Sequence, residues 1–254
     1  MAERLDGRTV LVTGANGGLG EQFVRQALER GATKVYATAR TPRGWGDDRI
    51  VALALDLTDP SSVASAAEAA SDVDLVVNNA AISPADDVSV ATGDEEITRR
   101  IFETNYYGNL RVAKAFAPVL AANGGGGLLN VLSLAAWLPL PTAYAASKAA
   151  MWSATNALRS ELAPAGTTVT GVIVGMVDTA MSARFDMPKV SAASVVEQAY
   201  DGVVRGAFEV LADEDSRDVK ARMSGSAEDL SAYLVAKLED FFADLGGAAV
   251  TAPR

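Results

Sequence analysis

Seven short, largely apolar runs punctuate the first 212 positions: Thr9 to Thr13, Lys34 to Thr38, Ile50 to Leu55, Val73 to Val77, Leu128 to Leu132, Thr168 to Val174 and Phe208 to Ala212. Each has the length and composition of a buried strand. Helical spacing fills most of the intervals. One helix is expected from Leu19 to a Gly31 stop, and another from Pro60 to Ala70, where proline suits a first turn. Others are expected over Asn105 to Ala122, from Tyr144 to about Leu162, and over Ala192 to Arg205. Strands that alternate with helices and are apolar nearly throughout imply a parallel sheet covered on both faces. Right-handed crossovers then give an α/β, Rossmann-type doubly wound fold of about seven strands, a single domain over residues 1–212. From 213 to 254 the pattern turns to charged helical material. Its amphipathic run from Asp229 to Leu245, with Leu230, Leu234, Leu238, Phe241 and Phe242, is expected to pack on the domain or on a neighbouring subunit.

Composition narrows the chemistry. The formal net charge of −10 argues against nucleic acid or an anionic membrane as partner. The chain has no cysteine and no histidine, which removes disulfides, thiol nucleophiles, imidazole bases and the usual transition-metal ligands, so no metal site is expected. Met1 to Arg8 lacks the apolar centre of a signal peptide, and no apolar run approaches the ~20 residues that span a bilayer. A cytoplasmic protein is the expectation.

Two constellations carry chemistry. Gly14, Gly18 and Gly20 fall between the first strand and its helix, where a dinucleotide fold needs glycine for a tight turn and for close approach of pyrophosphate. A glycine cluster can also be a plain turn, and here its position favours a cofactor. The second strand ends Thr38-Ala39-Arg40-Thr41, with no acid to bond a ribose 2′-hydroxyl. Arg40 suits a 2′-phosphate instead, the other reading being a solvated arginine at a strand end. The second constellation is Tyr144 and Lys148, one turn apart on one helix face. A fixed ammonium is expected to lower the phenol pKa from its usual value near 10, making a tunable proton donor and acceptor.

Together these features resemble the short-chain dehydrogenase/reductase family over residues 5 to 212. The resemblance makes Thr13-Gly14-x-x-x-Gly18-x-Gly20, with Asn16 and Leu19 inside it, the cofactor loop. It places Asp56 against the adenine amino group, with Leu57 beside it. Asn78-Asn79-Ala80, followed by Ala81, becomes the segment that holds the central sheet and lines the cofactor site. Asn105, Ser133, Tyr144 and Lys148 follow the order of the family's catalytic tetrad. By that likeness Tyr144 exchanges a proton with the substrate oxygen, and Ser133 polarises that oxygen. Lys148 lowers the Tyr144 pKa and bonds the nicotinamide ribose, and Asn105 positions a water that relays protons from Lys148. Read as residues alone, Ser133 could be a strand-end cap and Asn105 a helix cap. Val174-Gly175-Met176-Val177-Asp178-Thr179 is similar to the family's carboxamide-binding segment, which implicates Gly175, Val177 and Thr179.

Three departures stand out. Ala81 replaces the family's usual Gly, Val174 replaces its usual Pro, and the charged tail replaces its glycine-rich last strand. The loop 178–191 is expected to be a lid. The mostly apolar surroundings, among them Leu134, Trp137, Leu138, Met176, Met181 and Phe185, favour an uncharged substrate. The expected function is NADP(H)-dependent hydride transfer to or from a small-molecule ketone, aldehyde or secondary alcohol, by a homodimer or homotetramer. The alternatives are a dinucleotide sensor without turnover, or a non-redox epimerase or dehydratase of the wider family.

Overall fold

A computed structural model of the chain describes residues 4–244, with side chains described to residue 238. Phe241, Phe242 and Leu245, three residues of the expected amphipathic run, have side chains outside that range. The main sheet is built of β1 (Thr9–Thr13), β2 (Lys34–Ala39), β3 (Ile50–Ala54), β4 (Leu75–Asn78), β5 (Gly126–Val131), β6 (Thr167–Ile173) and β9 (Glu209–Leu211), in the order β3-β2-β1-β4-β5-β6-β9. All six pairings are parallel. This is the expected doubly wound fold, and its order reverses between β1 and β4, where such sheets open a crevice.

Alternation along the strands separates two cores. Val10 and Val12 of β1 join Leu75 and Val77 of β4 in one cluster, under α1 (Gly18–Glu29) and α6 (Ala192–Val204). Leu11 and Val76 point to the other face, against α2 (Pro60–Ala69) and α4 (Asn109–Ala122). Successive strand side chains face opposite sides, so one apolar run fills both layers.

Two segments differ from expectation. The helix expected to begin at Asn105 starts ten residues earlier, as α3 (Glu95–Phe102), runs through a π segment over Glu103–Gly108, and continues as α4. Asp94 caps it by accepting from the Glu96 amide at 2.7 Å. Two short strands, β7 (Val177–Asp178) and β8 (Val190–Ser191), pair with each other and close the base of the expected lid. Beyond β9 the tail forms α7 (Glu214–Arg222) and α8 (Ala227–Asp244). Val219 and Leu234 are buried there with Leu132, Leu134, Met151 and Ile173, with Trp137 and Leu138 packed alongside. No helix among the described residues is long and apolar enough to cross a membrane.

Candidate active site

The glycine loop is shaped by contacts that only glycine permits. Gly14 and Gly18 take left-handed backbone angles, φ 66° and 55°. A Cβ on Gly20 would fall 2.1 Å from the Gly14 carbonyl oxygen. Asn79 closes the loop from the next strand, its Nδ2 donating to the Thr13 carbonyl at 2.9 Å, while the amides of Asn79 and Ala80 donate to Thr13 Oγ1. Asn16 donates from Nδ2 to the Thr41 carbonyl at 2.8 Å, tying the loop to the end of β2 just past Arg40. Leu19 packs on the core below.

The start of α1 fits a dinucleotide phosphate. Gly17, its N-cap, offers no side-chain cap, and a Cβ there would meet nothing within 4 Å. By contrast Asp59, Asp94, Thr142, Ser191 and Asp213 each cap their own helix. A bare helix N-terminus with room in front of it is a ready anion site, by its orphan amides and its dipole. Arg40 is exposed at the end of β2, and its charge, after the Thr58 hydrogen bonds, helps hold the Asp56 carboxyl below its ordinary value. Arg43, which the sequence reading passed over, pairs with Glu21 at 3.0 Å and stacks on Trp45 at 4.2 Å, beside that same helix. Leu57 is buried against Gly108, with its carbonyl taken by the Arg111 guanidinium.

The catalytic candidates converge at the end of β5. Lys148 is 3 % exposed, donates from Nζ to the Val131 carbonyl at 2.9 Å, and lies 5.8 Å from the centre of the Tyr144 ring. Burial lowers the Lys148 ammonium from its ordinary 10.5 to about 8. Burial also pushes the Tyr144 phenol up, with a hydrogen bond to Ser133 acting the other way. The expected depression of Tyr144 by Lys148 is therefore not seen: desolvation disfavours both charged forms, and what opposes it at the phenol is the Ser133 hydrogen bond. A phenol that keeps its proton is suited to donating it to an oxygen that is gaining negative charge. Ser133 serves two ends, since its Oγ also accepts from the Ala135 amide at 3.2 Å and so caps the short turn after β5.

Asn105 sits wholly buried in the π segment rather than at a helix end. Its Oδ1 accepts from the Ile82 amide at 2.8 Å, and its Nδ2 donates to the Ile82 carbonyl and to Ser147 Oγ. Ser147 in turn donates to the Tyr144 carbonyl at 2.7 Å, so Asn105 links the chain after Ala81 to the Tyr144 helix, α5 (Ala143–Leu162). Asn109 adds a third grip, donating to the carbonyls of Ala80 and Asn105. Asp87 bonds the first turn of α5, accepting from the amides of Ala143 and Tyr144 at 2.8 Å each. Ser147, Asn109 and Asp87 escaped the sequence reading, and the Asp87 contact spans 56 residues.

The segment after β6 faces the glycine loop: a Cβ on Gly18 would lie 3.2 Å from Thr179 Cγ2. Val177 is buried and paired with Val190, and the Gly175 amide donates to Asp213 Oδ2. On the expected lid, Arg184 reaches Ser83 with two hydrogen bonds, and Met181 is exposed.

A family model described as short chain dehydrogenase matches residues 8–189. The chain belongs to the short-chain dehydrogenase/reductase family. Among relatives of this oxidoreductase family, a short-chain dehydrogenase from Penicillium crustosum is 34% identical over 190 residues, covering 69% of this chain and 68% of that protein. A short chain dehydrogenase from Burkholderia cenocepacia, solved in complex with NADP, superposes with a TM-score of 0.84 at 35% identity, covering 91% of this chain and 99% of that one. A 3-ketoacyl-(acyl-carrier-protein) reductase from Brucella melitensis, complexed with NADH, gives 0.73 at 26% identity, over 82% and 96% of the two chains. Nicotinamide dinucleotides are thus the cofactors of this short-chain dehydrogenase's solved relatives, in both phosphorylated and unphosphorylated forms.

Proposed function

We propose that this short-chain dehydrogenase is an NADP(H)-dependent carbonyl reductase, reversible as an alcohol dehydrogenase, acting on uncharged ketones, aldehydes or secondary alcohols. The observation that carries the reading is the meeting of Ser133, Tyr144 and Lys148 at the end of β5, with the phenol held protonated by burial. In the reductive direction Ser133 hydrogen-bonds the substrate oxygen, and Tyr144 gives that oxygen its proton. A bound nicotinamide supplies the hydride. Lys148 holds the nicotinamide ribose, and Asn105 positions a water through which Tyr144 and Lys148 are reprotonated. Gly14, Gly18 and Gly20 let the pyrophosphate approach α1, Asp56 receives the adenine amino group, and Gly175, Val177 and Thr179 hold the carboxamide.

Arg40 supports the phosphorylated cofactor, since β2 ends in a cation where NAD-preferring sites carry an acid. The uncharged substrate is supported by the exposed, apolar Met181 of the lid and by Arg184 being engaged with Ser83. NADPH oxidation against a panel of ketones and aldehydes tests the reading. On any substrate that turns over, Tyr144→Phe is expected to lower kcat by about a hundred- to ten-thousand-fold; equal rates would refute the proton-donor role. Arg40→Asp is expected to shift the NADP-to-NAD preference by about tenfold or more, the worth of a charge-assisted contact. An unshifted ratio would remove Arg40 from the cofactor site.

A further inference from the structure

Where the chain leaves β9 it makes a contact that joins the tail to the cofactor cleft. Pairing of Ala212 with Ile173, through a 2.9 Å amide-to-carbonyl bond, sets Asp213 beside the end of β6. Asp213 is 8 % exposed. Its Oδ1 accepts from the Ser216 amide at 2.7 Å and caps α7. Its Oδ2 accepts from the Gly175 amide at 2.5 Å. A Cβ on Gly175 would stand 3.2 Å from that oxygen, so the carboxylate fits closely against a glycine.

Gly175 needs such a hold. Glycine has the widest backbone freedom, and the residue before it is Val174 rather than a proline with its φ locked. The same segment reaches Thr179 opposite Gly18, so its path decides the spacing between the two walls of the cleft. The helix that Asp213 caps is itself fixed, because Val219 is wholly buried with Leu132, Leu134 and Ile173. Lys220 of that helix pairs with Glu209 at 2.5 Å, and Glu209 accepts from Trp152 Nε1 of α5 at 2.9 Å.

We propose that Asp213 is a positioning residue for the nicotinamide half of the cofactor, through which the C-terminal helices become part of the active site. The inference rests on the NADP(H) reading above. Asp213 acts on Gly175 from outside the cleft and supplies the stiffness that a proline at Val174 would otherwise give. The tail is then needed for cofactor geometry as well as for packing.

The test compares two probes on the full chain, NADPH and adenosine 2′,5′-bisphosphate, which lacks the nicotinamide. Asp213→Ala removes both contacts, whereas Asp213→Asn keeps an oxygen for capping α7. Each is expected to weaken NADPH binding about tenfold or more, the scale of one charge-assisted hydrogen bond, and to leave bisphosphate binding within about twofold. Asp94→Ala, which uncaps α3 outside the cleft, is expected to lower Tm without separating the two probes. Equal weakening of both probes, or none, in the Asp213 variants would overturn the anchor alone. A wild-type chain that binds neither probe would overturn the NADP(H) reading and the anchor with it.

Discussion

Helices α1 and α5 both start at the edge of the sheet where the cofactor and substrate residues gather, yet their first turns are treated in opposite ways. The N-cap of α1 is Gly17, with no side chain and open space before it. The first turn of α5 is held twice, by Thr142 Oγ1 accepting from the Ala145 amide and by both oxygens of Asp87. The first end leaves amides and dipole available to an anion. The second satisfies its amides internally and fixes the proposed proton donor, because Tyr144 is the second residue of that helix. One fold thus spends helix ends on two tasks, binding and positioning, and the presence or absence of a capping side chain tells them apart.

The largest test of the held end is thermodynamic. The folded chain keeps Lys148 at about 8 against an ordinary 10.5, a gap of roughly 3 kcal/mol. Below about 8 both states are protonated, and the fold carries the full cost of a buried ammonium. Between about 8 and 10.5 the unfolded state binds the extra proton, so stability rises with pH there. Lys148→Met is therefore expected to be more stable than wild type near neutrality, less what the Val131 hydrogen bond contributes, with the advantage shrinking as pH rises. Denaturant titrations of both chains across this range measure it; parallel pH slopes would contradict the buried cation.

Gly17→Asp attacks the contrast directly by giving α1 the kind of cap α5 has. Gly17 is extended, φ −173°, so an aspartate fits its backbone. The apoprotein should gain a few tenths of a kcal/mol. NADPH binding should fall about tenfold or more, since a carboxylate then occupies the amides and repels phosphate. Calorimetric titration that found unchanged affinity would end the reading of α1 as a phosphate site. An effect of similar size is expected at Asp87. Asp87→Ala should cost about 1 to 2 kcal/mol of stability, as lost helix caps do, and lower kcat more than it raises KM. A lower Tm with kcat intact would reduce Asp87 to a structural cap.

How much of this was legible in the chain depends on the range of the interaction. The strands and the glycine loop were readable because apolar runs, periodicity and glycine steric demands are local. Tyr144 and Lys148 were readable as a pair because helix geometry sets their spacing. The sign of the Tyr144 shift was not, since desolvation depends on what the whole fold packs over the ring. The early start of α3 had a local signal, Asp94 followed by Glu95 and Glu96, which suits a cap and first turn. Asn109 and Ser147 carry no signature of their own, because amides and hydroxyls acquire a role only from the backbone groups that come to lie against them.

The sequence by itself determined the family, the parallel fold and the placing of Tyr144 and Lys148 on one helix face, because those follow from local pattern and side-chain chemistry. Only the tertiary structure decided which helix end stays bare, which carboxylate steadies Tyr144 and which one grips Gly175. Those choices join positions such as 87 to 143 and 175 to 213. Such pairings are set by how the layers pack, and no window of sequence contains both partners.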